Sequence, residues 1–137
     1  MIDSFQGEHR WLSNFWLVDV KLEGTTFKSV EHAYMAAKTT DTSLREKIRS
    51  FDTPGQAKRF CKTITLRHDW EQVKLSIMRD LLTQKFQDTV LASKLLATGD
   101  EELIEGNTWG DTFWGVCRGV GQNHLGRLLM DIRETLK

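Results

Sequence analysis

Cysteine is scarce in this chain, with only Cys61 and Cys117 present. Neither a disulfide framework nor a paired-cysteine metal site can be built from two thiols so placed. The four histidines, His9, His32, His68 and His124, are scattered and match no metal-ligand spacing. No metal and no other cofactor is expected. No run approaches the roughly 18 apolar residues of a membrane span, so no membrane partner is expected. The first residues, Met1 to Gln6, lack the basic and then apolar pattern of a secretory leader. An excess of one charge is also missing, since 19 Lys and Arg balance 19 Asp and Glu. Bulk electrostatics therefore does not recruit a nucleic acid, although a local basic patch can. There is no Gly-x-Ser-x-Gly elbow, and no internal repeat, linker or low-complexity segment. A single domain over residues 1–137 is expected, long enough to bury its own core, in a reducing, cytoplasmic setting.

What is present is aromatic surface and one informative helix. Five tryptophans are many for 137 residues, and indole is a good flat platform for rings. Ser29 is an N-cap residue, and Val30 to Lys38 after it favour helix. At about 100° per residue, Val30, Ala33, Tyr34 and Ala37 form one apolar stripe. Glu31 and Lys38 fall on its flank, within roughly 20° of each other and roughly 10 Å apart along the axis. They are too distant for an i,i+4 ion pair, with the uncharged Tyr34 and Met35 between them. Two readings remain open: solvated rim charges, or an acid and an amine facing one ligand.

The rest of the chain supplies the frame. Residues 1–15 read as a short strand and a loop, in which Asn14 is either a turn former or a polar group aimed into a pocket. Residues 16–22 alternate as a strand, with Trp16, Val18 and Val20 on one side. Glu23-Gly24-Thr25 turns the chain, and Thr26 to Lys28 return antiparallel. Asp41 or Thr42 caps a second helix over Leu44, Lys47, Ile48 and Phe51. Thr53, Pro54 and Gln56 form a capping-box start for a third. That third helix carries Lys58, Arg59 and Lys62, either solvated charge or an anion clamp. Asp69 with Gln72 starts a fourth, whose stripe is Trp70, Val73, Ile77 and Leu81; Trp70 at its end can serve core and cleft together. A fifth covers 88–98 and stops at Gly99. Residues 101–120 read as a structured loop between short strands, with Asp111 between Trp109 and Trp114. A turn rich in glycine, through Gly121 and Asn123, opens the last helix and has the form of an anion site. The fold class is α+β and mainly α-helical, with about six helices and a small antiparallel β-hairpin. Two carboxylates, a placed lysine, tryptophan platforms and anion-binding elements suit a flat heterocycle joined to a sugar phosphate.

Several stretches together resemble the NADAR family, the YbiA-like N-glycosidases. They are Phe5-x-Gly7, Leu12-Ser13-Asn14-Phe15, Ser29-x-Glu31-His32-x-Tyr34-x-Ala36-x-Lys38, Ala57-Lys58-Arg59, Glu105-x5-Asp111-x2-Trp114-Gly115 and Gly121-x-Asn123-x-Leu125-Gly126. The resemblance implies a YbiA-like fold and hydrolysis of the bond between ribose and an amine of a nucleobase-type ring. It implies one of two substrates: ADP-ribose on guanine in DNA or RNA, or a phosphorylated ribosylamino-pyrimidine of riboflavin synthesis. It places the reactive helix at Glu31 and Lys38 and an acidic-aromatic loop at Asp111 and Trp114. It expects Asn14, Tyr34, Lys58, Arg59, Trp70, Trp109, Trp114, Gly121 and Asn123 to meet the substrate. Under this reading Lys38 is a candidate Schiff-base nucleophile, Glu31 moves protons, and Asp111 orients ribose hydroxyls. A module that binds ADP-ribose or NAD without cleaving it is the alternative. A purely structural helical protein, with every tryptophan in the core, is a third reading.

Overall fold

Short polar side chains at the helix starts decide where this chain turns. The computed structural model describes residues 1–137, and the chain divides into two compact units, residues 14–85 and residues 1–13 with 86–137.

In the unit of residues 14–85, β1 (Leu17–Leu22) and β2 (Thr25–Ser29) form an antiparallel hairpin pairing Val20 with Phe27 and Leu22 with Thr25. Glu23 and Gly24 turn the chain with φ of +50° and +85°, the positive pair that a two-residue hairpin turn requires. The register shifts between Leu17 and Val20. The expected alternation is lost there: Val20 is buried, whereas Trp16 is exposed. Ser29 then caps α1 (Val30–Ala37). Its Oγ accepts the His32 N–H at 3.0 Å and lies 2.7 Å from His32 Nδ1, while His32 Nε2 lies 2.9 Å from the Phe51 carbonyl. These contacts are satisfied by a neutral imidazole protonated on Nε2. All eight residues of α1 are buried. The expected apolar stripe is therefore correct but incomplete, because the hairpin and three later helices cover α1 on every side.

Asp41 caps the first of these, α2 (Thr42–Ser50), through Ser43 and Leu44 N–H, and Ile48 is its fully buried residue. The expected capping box of Thr53 and Gln56 starts α3 (Pro54–Cys61). The last is α4 (Trp70–Lys85). Asp69 starts it through its backbone carbonyl, but its carboxylate pairs with Arg67 at 2.6 Å. The buried face of α4 is Trp70, Met78, Leu81, Leu82 and Lys85. It is rotated from the expected stripe, leaving Val73 and Ile77 half-buried. The Gln84 side chain exchanges two hydrogen bonds with the Lys21 backbone, at 2.7 and 2.8 Å, and so occupies the edge of β1.

In the other unit, residues 7–12 form a 3-10 helix where part of a strand and loop was expected, and Ile2 makes one parallel bridge to Leu103. Trp11 meets Phe86 edge-on at 6.4 Å. Asp88 caps α5 (Thr89–Ala97), and Gly99 follows it at φ +64°. Two-residue strands β3 (Gly106–Asn107) and β4 (Val116–Cys117) run parallel; they are the short strands expected about the loop of residues 101–120, and their parallel pairing adds to the antiparallel hairpin. In α6 (His124–Thr135), Leu125, Leu128, Leu129 and Ile132 are buried, as the spacing predicts. No helix is long and apolar enough to cross a membrane.

Candidate active site

The centre of the unit of residues 14–85 holds a carboxylate and an amine on one helix. Glu31 is buried in the first turn of α1, and its N–H donates to the Asn14 carbonyl at 3.1 Å. A solvated rim position is therefore excluded for it. Lys38 is the C-cap residue of α1 and half-buried. Its Nζ lies 5.6 Å from the centre of the Tyr34 ring. Tyr34 in turn packs against Trp70 at 5.0 Å, tilted by 55°. The end of the helix is held from outside: the Arg67 N–H donates to the Lys38 carbonyl at 2.8 Å, and Arg67 Nη1 donates to the Ala37 carbonyl at 3.4 Å.

Burial pushes the Lys38 amine below the ordinary lysine range, because desolvation disfavours the ammonium. The Glu31 carboxylate opposes this, while the Lys58 and Lys74 ammonium groups add to it. Burial wins, and the amine loses its proton more readily than a surface lysine does. Cys61 completes the surroundings. Its Sγ donates to the Met35 carbonyl at 3.4 Å, and burial pushes the thiol up to about 11, which keeps it protonated and poorly nucleophilic. Lys58 lies 6.0 Å from the centre of the Phe15 ring and is half-buried, whereas Arg59 and Lys62 are exposed. The basic cluster of α3 thus divides, and Lys58 is the member that acts on Lys38. Neither Lys74 nor Cys61 stands out in the sequence. The available signal for Lys74 is its position one helical turn after Trp70.

The acidic-aromatic loop belongs to the other unit. Asp111 Oδ1 accepts the N–H groups of Phe113 and Trp114 at 3.1 and 2.9 Å. Asn107, which sequence reasoning missed, is buried. Its Oδ1 accepts the Asp111 N–H, and its Nδ2 donates to the Asp111 carbonyl and to Glu105 Oε2. Trp114 is half-buried and packs edge-on to Phe113 at 4.9 Å, and Trp109 is exposed. The tryptophans are therefore not all in the core, against the purely structural reading.

The expected anion site at Gly121 and Asn123 is corrected by this loop. The N–H groups of Gln122, Asn123, His124 and Leu125 donate to the carbonyls of Thr112, Gly115, Phe113 and Trp114. The Asn123 side chain accepts from the Glu105 N–H and donates to the Leu103 carbonyl. A Cβ at Gly121 would stand 2.1 Å from the Gly115 carbonyl. The donors of this helix start are already used to build the loop, so they are not presented to phosphate.

Comparison with known proteins bears on this arrangement. Residues 3–137 match the family model of the NADAR domain. The chain is 41% identical over 128 residues to the N-glycosidase YbiA of Escherichia coli, covering 90% of this chain and 79% of that protein. It is 38% identical over 132 residues to an N-glycosidase of Nostoc punctiforme, covering 91% and 84%. A riboflavin biosynthesis protein of Vibrio vulnificus is 41% identical over 133 residues, covering 94% of this chain; the chain spans 36% of that longer protein. The NMR structure of Escherichia coli YbiA matches with a TM-score of 0.85 at 36% identity, covering 99% of this chain and 86% of that one.

Proposed function

The chain belongs to the NADAR family, and on that footing we propose that it is an N-glycosidase cleaving the bond between ribose and an amine of a nucleobase-type ring. The substrate is ADP-ribose on guanine in nucleic acid or a ribosylamino-pyrimidine phosphate. The names of its relatives support the reaction class. The observation that carries the mechanism is the buried Glu31 acting on a lysine whose amine is easily deprotonated.

A ribosylamine opens to an imine at C1′. The neutral Lys38 amine adds there and forms a C1′–Nζ bond. Glu31 relays the Nζ proton to the nitrogen of the base. The C1′–N bond to the base then breaks, and the base leaves as a free amine. A Schiff base to Lys38 remains, and water hydrolyses it to ribose and the free amine. Tyr34 and Trp70 supply the ring surface against which Lys38 is set, and Lys58 and Lys74 add positive charge suited to a ribose phosphate. A binder without turnover needs rings and cations, but it does not need a buried acid beside a depressed lysine.

Borohydride added during turnover tests this. The expected result is a ribosyl adduct on Lys38 by mass spectrometry, with none in Lys38→Ala. A fully active Lys38→Ala protein that traps nothing rules out the covalent route. Release of no base by the wild type, from either substrate, rules out the hydrolase.

A further inference from the structure

The residue that opens the unit of residues 14–85 is kept at odds with its surroundings. Asn14 is 9% exposed. Its Nδ2 reaches only the thioether of Met78, at 3.6 Å, and its Oδ1 is buried with no hydrogen-bond partner. Turning the amide over would set the oxygen against the sulfur lone pairs, so neither orientation satisfies both ends. A buried polar group without a partner is strongly unfavourable, whereas an apolar side chain of the same shape would be at ease there. The turn does not need this side chain, because it is the Asn14 backbone carbonyl that receives the Glu31 N–H.

We infer that Asn14 is a substrate-positioning residue, whose orphaned amide oxygen accepts an N–H or O–H of the ribosylamine at the Glu31 end of α1. This rests on the hydrolase reading above. Solvent does not reach Oδ1, and the amide turns to the substrate on binding, exchanging a weak sulfur contact for a full hydrogen bond. Two donors fit: a ribose hydroxyl, or an amine of the base.

Asn14→Leu and Asn14→Ala test this by melting temperature, by Kd for ADP-ribose and by turnover of a ribosylamine. At least one variant is expected to melt higher than the wild type, by about 2–6 °C. Both are expected to lose about tenfold or more in kcat/KM, with their secondary structure intact. A weakened Kd for ADP-ribose assigns the donor to ribose; an unchanged Kd with a raised KM for the ribosylamine assigns it to the base. The inference is overturned if both variants melt lower than the wild type, or if both turn over normally. A wild type that releases no base fails the hydrolase reading. The positional claim then stands or falls on the melting shift together with the Kd for ADP-ribose.

Discussion

Lys38 has its amine set by two lysines and one acid as well as by burial, and each neighbour leaves a separate signature. The Lys58 and Lys74 ammonium groups lower its pKa, and the Glu31 carboxylate raises it. If the neutral amine is the attacking form, kcat/KM rises with pH and levels off below the ordinary lysine range. Lys74→Met removes one opposing cation, so Lys38 binds its proton more tightly. The rising limb is expected to move to higher pH, with the plateau recovered there. A purely structural role for Lys74 would lower the rate at every pH and leave the midpoint unmoved. Glu31→Gln withdraws the carboxylate that favours the ammonium, so its limb is expected at lower pH. Its plateau is expected to be about 10²- to 10⁴-fold lower because the proton relay is gone. pH profiles of kcat/KM for the two variants check both signs. The pairing of Glu31 with Lys38 is legible in the sequence because both lie on one helix, where spacing fixes geometry. Lys74 and Cys61 are not, because helix packing brings them there.

The elements divide along the same line. Ser29, Asp41, Thr53 and Asp88 cap their helices as the sequence predicts; a cap is an interaction over three residues and leaves a local mark. The buried face of α4 departs from the expected stripe because packing against β1 and α1, not periodicity, selects Met78 and Lys85 for the core. The 3-10 helix of residues 7–12 replaces part of the expected strand and loop of residues 1–15, because aromatics mixed with turn residues fit either. The start of α6 is not legible in its own turn, because its donors are used by loop carbonyls up to eleven residues earlier in the chain. Two caps now make different predictions. Asp88→Ala removes the bonds to Val90 and Leu91 N–H at the start of α5 and is expected to cost about 1 kcal/mol with turnover unchanged. Ser29→Ala removes the cap of α1 and also leaves His32 Nδ1 without its hydroxyl. It is expected to cost about 2 kcal/mol and to lower turnover, because α1 positions both Glu31 and Lys38. Denaturant unfolding with rate measurements on the same samples separates the two.

For the molecule as a whole, a buried group outside the reaction makes stability depend on pH. Lys85 ends α4 with none of its surface exposed, and burial lowers its pKa from 10.5 to about 7. In the unfolded chain the same amine holds its proton up to its ordinary value. Between those two pH values the unfolded chain binds more protons than the folded one, so stability rises with pH across that window. Below about 7 the folded protein carries the whole penalty of a buried ammonium. Replacing Lys85 with Met keeps an unbranched apolar stem and removes the titration. The variant is expected to be more stable than the wild type near pH 6 by at most about 5 kcal/mol, an amount reduced by whatever contacts the amine makes. The difference is expected to shrink steadily and to vanish or reverse by about pH 10.5. Denaturant unfolding of both proteins from pH 6 to 10 measures it. Parallel curves would show that the Lys85 amine stays protonated in the folded chain, held by a partner strong enough to offset its burial.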